Sequence, residues 1–502
     1  MLQLNELNKY REGNRLEVKK AVGGLPKSLW ETYSAFANTN GGIILLGVEE
    51  LADKSLSVTE ISDPEKLVRD FWNTLNNHEK ISTSILLDKH VHIETVDEKK
   101  IIIIEVPRAD RGLRPVFINK NPYTGTFRRN GEGDYHCSQE MVRAMIRDNG
   151  EKTQDMLVLE SMSLDVFDYE SLRHYRNRMK VTRPGHVWEM LEDIEFLQKL
   201  GAIGVGEDEK LHPTAAGLLM FGFEYEIVRE YPNYFLDYQE HYDTDIRFTD
   251  RIYSTSGEWS GNVFDFFFKV YNKLIQNPKI KVPFKMNDGL TRLDDTPIHV
   301  ALREALANCV SNADFYGERG LVIRNNIDDI VFENPGNFRI ELREALCGGV
   351  SSPRNAVILK MLNLLNIGER TGSGIPLIFA AWKSEGFSEP VYTEQIEINR
   401  SFLSLSLAET SDKKQAIKTS DKKQAATTAN AKPKNKISDN RKRSILDYLA
   451  SHESSTSKEV ADHLGISSDR ARVYLQEFVF NGIVIAEGEN RNRTYRLRTR
   501  GF

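Results

Sequence analysis

Residues 297–314 read PIHVALREALANCVSNAD, and this stretch decides how the middle of the chain folds. A proline opens it, which suits the first turn of a helix, where its missing N–H is not needed. Ala301, Leu302, Ala305, Leu306, Cys309 and Val310 supply an apolar body, while Glu304, Asn308 and Asn312 recur every fourth residue and so share one helical face. Polar groups set in an apolar helix require partners, so this face points to a site. Downstream, DIVFENPGNF (329–338) predicts a strand carrying Asn334 and Gly336, CGGVSSPRN (347–355) a loop placed like a lid, and GERTGSGIP (368–376) the opening of a second helix. Gly372 and Gly374 there let a backbone come close to an anionic group at a helix N-terminus.

Working outward, 502 residues suggest roughly three domains at ~150 residues each. A composition of 40% hydrophobic and 28% charged residues excludes collagen and wholesale disorder. No run approaches the ~20 apolar residues of a membrane span, and the charged start is unlike a signal segment, so a cytoplasmic protein without a membrane partner is expected. Cys137, Cys309 and Cys347 lie too far apart in sequence for a disulfide framework or a paired-cysteine zinc site. No G-x-x-x-x-G-K-[ST] string occurs, so a P-loop helicase or kinase is not supported.

The net charge of −6 hides a division: residues 411–502 hold 19 Lys and Arg against 11 Asp and Glu, whereas the preceding 410 hold 48 against 62. A basic appendage on an acidic body suggests a polyanion contact. Residues 409–440, with TSDKKQA at 410–416 and again at 419–425, have almost nothing to bury and read as a flexible basic linker. Beyond it, a helix at 441–452, a second helix capped by Thr456 and Glu459, a turn at Gly465, a third helix at 468–480 and a hairpin around Tyr495 follow in helix-turn-helix order. This order resembles a winged helix-turn-helix domain. The resemblance puts Ser467, Ser468, Arg470 and Arg472 near a major groove of DNA and Arg491, Arg493, Arg496 and Arg498 on phosphates or a minor groove.

At the other end, the pattern predicts strands at 15–20, 43–48, 84–87, 91–95 and 101–106, with helices after Pro26, near 63–76 and at 139–148, giving an α+β domain. Residues 16–50, LEVKKAVGGLPKSLWETYSAFANTNGGIILLGVEE, and 114–138, RPVFINKNPYTGTFRRNGEGDYHCS, resemble the AlbA-type domain of the Schlafen family over about 12–147. That resemblance implies binding of RNA or single-stranded nucleic acid. In some Schlafen relatives three acidic residues and a divalent metal cut RNA; the matching positions are Glu12, Glu17 and Glu50, with glutamate at 50 where the nuclease pattern has aspartate. Carboxylates are suitable ligands for Mg²⁺ or Mn²⁺ and for activating water. Arg108, Arg111, Arg114, Arg128 and Arg129, interleaved with Tyr123 and Phe127, read as a cationic, aromatic surface.

The EALAN string at 304–308 resembles the E-x-x-x-N box of the GHKL ATPases. The resemblance implies an ATP site in which Asn308 holds Mg²⁺ and Glu304 is the general base, with Asn312, Asn334, Gly336, Arg370, Gly372 and Gly374 as further nucleotide-binding positions. Asn334 stands where the family's first glycine box has an adenine-reading aspartate. The expected fold is therefore a multidomain α+β chain: Schlafen AlbA-like domain (1–150), connector (151–290), GHKL-like α/β sandwich (291–408), linker (409–440) and winged helix (441–502). Chains of this layout are usually regarded as DNA-binding transcriptional regulators, and GHKL domains commonly form homodimers. The expected function is an ATP- and nucleic-acid-binding regulator; the alternative is a nucleotide-gated, metal-dependent ribonuclease in stress response or defence.

Overall fold

The structure, a computed structural model, describes residues 12–242, 246–280, 286–287, 291–292, 296–368, 372–408, 448–449, 454–464, 471, 475, 484–487 and 494–497. The chain divides into two compact units, Met1–Thr410 and Ser411–Phe502.

The first unit opens with a four-stranded sheet. Leu16–Lys19 runs parallel to Gly42–Leu46, which pairs antiparallel with Lys99–Val106, itself beside Val91–Val96. The helix Leu29–Asn38 drives Leu29, Tyr33, Phe36 and Ala37 into a core shared with Ile44, Leu46, Ile102 and Ile104. Asp63 caps the helix Pro64–Leu75 by accepting from Lys66 N at 2.9 Å, with Pro64 in the first turn. The strand expected at 84–87 is absent. Side chains take its backbone donors instead: Ile85 N donates to Tyr33 Oη at 3.0 Å and Leu87 N to His90 Nδ1 at 2.9 Å.

A six-stranded sheet follows in the order Asp250–Tyr253, Leu236–His241, Leu321–Asn326, Asp329–Pro335, Arg400–Ser406, Val391–Gln395. The pair Leu236–His241 and Leu321–Asn326 is parallel, and the other pairings are antiparallel. Ile323, Ile330, Phe332 and Leu405 of the sheet share one core with Leu302 and Leu306 of the helix Pro297–Asn312 and with Ile378 and Trp382 of the helix Gly374–Glu385. The aromatic run of the helix Val263–Leu274 lies in the same core through Phe264, Phe266 and Phe267.

That core also takes in Tyr175, Phe196 and Phe221, from helices in the stretch read as a connector. Two sheet strands, at 236–241 and 250–253, come from that stretch too. The domain holding the site thus begins well before position 291. The sequence pattern concealed this because the parallel partner strands stand far apart in the chain, and nothing local announces such a pairing.

In the second unit, Thr494–Leu497 lies between Ser455–Thr456 and Val484–Glu487 in a three-stranded antiparallel sheet, next to the helix Ser457–Leu464. Thr456 and Glu459 form the expected reciprocal cap: Glu459 Oε2 accepts from Thr456 N at 2.7 Å and Thr456 Oγ1 accepts from Glu459 N at 3.3 Å. Tyr495 is buried, as its place in the hairpin predicts. Among the described residues no helix is long and apolar enough to cross a membrane.

Candidate functional site

The polar face of the Pro297–Asn312 helix opens onto a cleft of about 150 Å³. Glu304, Asn308 and Asn312 line it together with Asn334 from the strand Asp329–Pro335 and Gly372 and Gly374 from the second glycine stretch. Six of the positions expected to bind nucleotide or act on it thus meet in one place. Phe332, Phe402, Leu403, Tyr392 and Ile375 give the same cleft an apolar wall.

Four polar atoms of residues around this cleft find no hydrogen-bond partner among the described residues although they are buried: Asn308 Nδ2, Asn337 Oδ1, Arg339 Nε and Tyr392 Oη. Each such orphan costs about 1–3 kcal/mol, a cost that a bound polar ligand removes. Burial, and then the nearby Glu304 and Cys309, raise the Tyr392 phenol above its ordinary value, so it remains a neutral hydroxyl. Asn312 Nδ2 donates to Asn308 O at 2.9 Å, which fixes one end of its amide to the helix itself. Asn334 Oδ1 accepts from the Cys309 thiol at 3.5 Å, and burial holds that thiol protonated.

The two glycines are required by close approach. At Gly372, with φ +72°, a methyl group would lie 2.6 Å from Val350 O and 2.9 Å from Gly349 N, so the lid loop rests on bare backbone. At Gly374, the first residue of its helix, a methyl group would lie 2.1 Å from Glu304 Oε1. The carboxylate is thereby held against a helix N-terminus, where negative charge is favoured. Gly336 stands behind the cleft against the Arg354 guanidinium instead of lining it. Arg370 lies outside the described residues.

The N-terminal positions are arranged differently from the expectation. Burial, then Glu17 and Glu50 nearby, raise the Glu12 carboxyl even though it accepts from Val18 N at 2.9 Å, so the three acids do come near one another. Glu50 Oε1 is buried without a partner among the described residues. Glu17, however, pairs with Arg129 and with Lys19, both at 2.8 Å. Among the described residues no group of three or more His, Cys, Asp or Glu is placed to hold a metal ion.

The arginine and aromatic surface is not formed. Arg108 pairs with Glu394 at 2.8 Å, Arg111 donates to Ser352 Oγ at 3.1 Å, and Arg128 stands 3.8 Å from Glu397. Arg114, Arg129 and Phe127 are buried, and burial lowers Arg114 to about 10. Most of these arginines bind the N-terminal domain to the lid and sheet of the cleft domain, a role that composition could not reveal because the partner acids lie hundreds of residues away.

Ser467, Ser468, Arg470, Arg472, Arg491, Arg493 and Arg498 lie outside the described residues, as does the side chain of Arg496, whose backbone is in the strand Thr494–Leu497. Reading motif by motif had also passed over Tyr392, Asn337, Arg339 and Asp148. Arg354 lay within the lid string, but nothing in the string indicated its partner.

Four segments match family models. Residues 12–138 match Schlafen AlbA_2, residues 143–237 a domain of unknown function, residues 321–402 the model described as "Putative ATP-dependent DNA helicase recG C-terminal", and residues 441–485 FaeA-like protein. No curated protein matches the chain. Among solved structures, the DIP2311 protein from Corynebacterium diphtheriae is 14% identical, with a TM-score of 0.38, over 97% of this chain and 95% of its own. The N-terminal domain of a RecG-related protein from Nitrosomonas europaea is 27% identical, with a TM-score of 0.21, over 27% of this chain and 92% of its own. The chain is a multidomain α+β protein with a Schlafen/AlbA-like segment, a GHKL/RecG-related ATPase segment and a FaeA-like segment. The Pro297–Asn312 helix lies outside the third match, so its place at the site rests on geometry.

Proposed function

We propose that the cleft binds ATP with Mg²⁺ and that the chain is a nucleic-acid-binding regulator, acting on DNA, in which nucleotide occupancy is the switch. The observation that carries this is the set of unpartnered buried atoms, Asn308 Nδ2, Asn337 Oδ1, Arg339 Nε and Tyr392 Oη, around one cleft that also holds Glu304 and two glycines with no room for a side chain. These residues fit the group. Asn308 would hold the metal through its amide oxygen, Asn334 would meet the base, and the backbone at Gly372 and Gly374 would meet the phosphates after the lid segment at Val350 and the Glu304 carboxylate, which fill the space beside them, give way. Bound Mg²⁺ would neutralise phosphate charge. Glu304 would accept the proton of an attacking water.

Calorimetry on the full chain is expected to show ATP binding that requires Mg²⁺, weakened at least tenfold in Asn308→Ala, since the lost contact is to a charged group worth about 1.5–3 kcal/mol. No heat at millimolar ATP would remove the nucleotide switch.

The DNA contact is assigned to the basic 441–502 segment, which carries the FaeA-like match. A homodimer, with linkers at 409–440, would bring two such segments to separate half-sites. Binding to duplex DNA should fall steeply with salt, and the double change Arg493→Ala, Arg496→Ala should flatten the slope of log K against log salt by about 1.8, or ~0.9 per lost phosphate contact. An unaltered slope would take these arginines out of the interface.

The ribonuclease reading ranks second. In its favour, Glu17 and Glu50 lie near enough to Glu12 to raise its carboxyl; against it, Glu17 is committed to two cations and no three acids among the described residues are placed to hold a metal ion.

A further inference from the structure

The lid of the cleft is fastened by a helix far from it in sequence, Gln139–Asn149. Asp148, near the end of the helix Gln139–Asn149, accepts from Arg354 Nε at 2.9 Å and from Arg354 Nη2 at 2.7 Å. Arg354, 5% exposed, also donates to Asn312 O at the end of the Pro297–Asn312 helix and to Asn337 O at 3.0 Å. Arg339 donates to Pro353 O at 2.5 Å and lies 3.9 Å from the same carboxylate. Arg111, from the N-terminal domain, reaches Ser352 Oγ at 3.1 Å and the Asp148 carbonyl at 2.8 Å. One carboxylate therefore gathers three segments that line the cleft: the lid, the loop after the Asn334 strand, and the end of the polar-faced helix.

Burial alone would raise the Asp148 carboxyl, but Arg354, Arg339 and Arg114 around it outweigh that and keep it ionised. Without its charge, two buried guanidiniums would face each other unpaired, and the lid and loop that carry them would have to shift.

We propose that Asp148 is a positioning residue of the nucleotide cleft, supplied by the helix Gln139–Asn149, and that through Arg354 and Arg339 it couples nucleotide occupancy to the state of that helix. This rests on the reading of the cleft as a nucleotide site. Coupling of this kind is reciprocal: if the helix that carries Asp148 sets the lid, then nucleotide held under the lid must act back on that helix.

The test is amide hydrogen exchange and ATP calorimetry on the full chain and on Asp148→Asn, with Asp148→Glu as the charge-retaining control. In Asp148→Asn, residues 348–355 exchange faster without nucleotide, and Mg²⁺–ATP binds roughly tenfold more weakly, within the usual 5–150-fold range of coupling between sites. In the unaltered chain Mg²⁺–ATP slows exchange across 139–149; this protection is lost in Asp148→Asn and largely kept in Asp148→Glu. A role confined to holding that helix against the lid would not produce that nucleotide-dependent protection.

Unchanged exchange in the lid overturns the proposal, and so does faster lid exchange with unaltered ATP affinity. If the unaltered chain binds no ATP while the lid still loosens in Asp148→Asn, the cleft reading fails and the coupling fails with it. Should Asp148→Asn not fold, Arg111→Lys removes one rim contact and is expected to move lid exchange and ATP affinity in the same directions, by less; no movement overturns the proposal.

Discussion

Glu304→Ala protein is expected to bind Mg²⁺–ATP nearly as tightly as the unaltered chain while its turnover falls by roughly 10²–10⁴, the usual contribution of a positioned general base. The carboxylate lies in the cleft, beside a helix N-terminus and against a glycine that leaves no space between them. Such a position does not set affinity for a phosphate chain, since an anion beside another anion adds no attraction. It does place a proton acceptor where water would enter. Steady-state phosphate release with parallel binding titrations separates the two quantities. A loss of affinity as large as the loss of rate would mean that Glu304 shapes the cleft instead of acting on water, and unaltered turnover would move the base elsewhere. Glu304→Gln sharpens the comparison, because it keeps the volume beside Gly374 and removes only the basicity.

The second large effect concerns the N-terminal domain. Arg129→Ala should destabilise the first unit by about 3–5 kcal/mol, the range found when one member of a buried ion pair is removed and the other stays behind. Arg129, 3% exposed, pairs with Glu17 at 2.8 Å and Asp134 at 3.0 Å, donates to Gly13 O at 2.9 Å, and lies over the Phe36 ring at 5.2 Å. Its loss leaves the Glu17 and Asp134 carboxylates without this cation. The denaturant midpoint of the first transition measures this, and a shift worth under about 0.5 kcal/mol, the scale of an ordinary surface change, would show that the guanidinium is not structural. Arg129→Lys should restore part of the loss, because one ammonium cannot serve both carboxylates and the Gly13 carbonyl with a fixed fork.

The site was more legible in the sequence than the surfaces around it. The Pro297–Asn312 helix announced itself because apolar residues at helical spacing leave only Glu304, Asn308 and Asn312 to be explained, and a helix brings residues four apart together without help from the rest of the fold. The glycines at 372 and 374 were legible for a similar local reason. By contrast, Arg108, Arg111 and Arg129 looked like a binding surface because a charge in a string carries no information about the acid that meets it. Glu394 for Arg108, Glu17 for Arg129, and the Ser352 hydroxyl and Asp148 backbone carbonyl for Arg111 become partners only after the chain has folded. The strand expected at 84–87 failed for another non-local cause, a tyrosine hydroxyl from a distant helix taking the donor that a neighbouring strand would have used. Tyr392 and Asn337 gave no sequence signal at all, since an unpartnered polar atom is a property of its surroundings.

The Asp148 fastening has a consequence for how such chains can be inherited. Modules strung on a polypeptide are commonly exchanged by recombination, each arriving with its own interior complete. Here the cleft is closed by a carboxylate encoded 206 residues before the arginine it binds. Residues 321–402 transplanted alone would carry Arg354 and Arg339 without their counterion. The helix Gln139–Asn149 and the cleft it fastens are therefore expected to be inherited as one block.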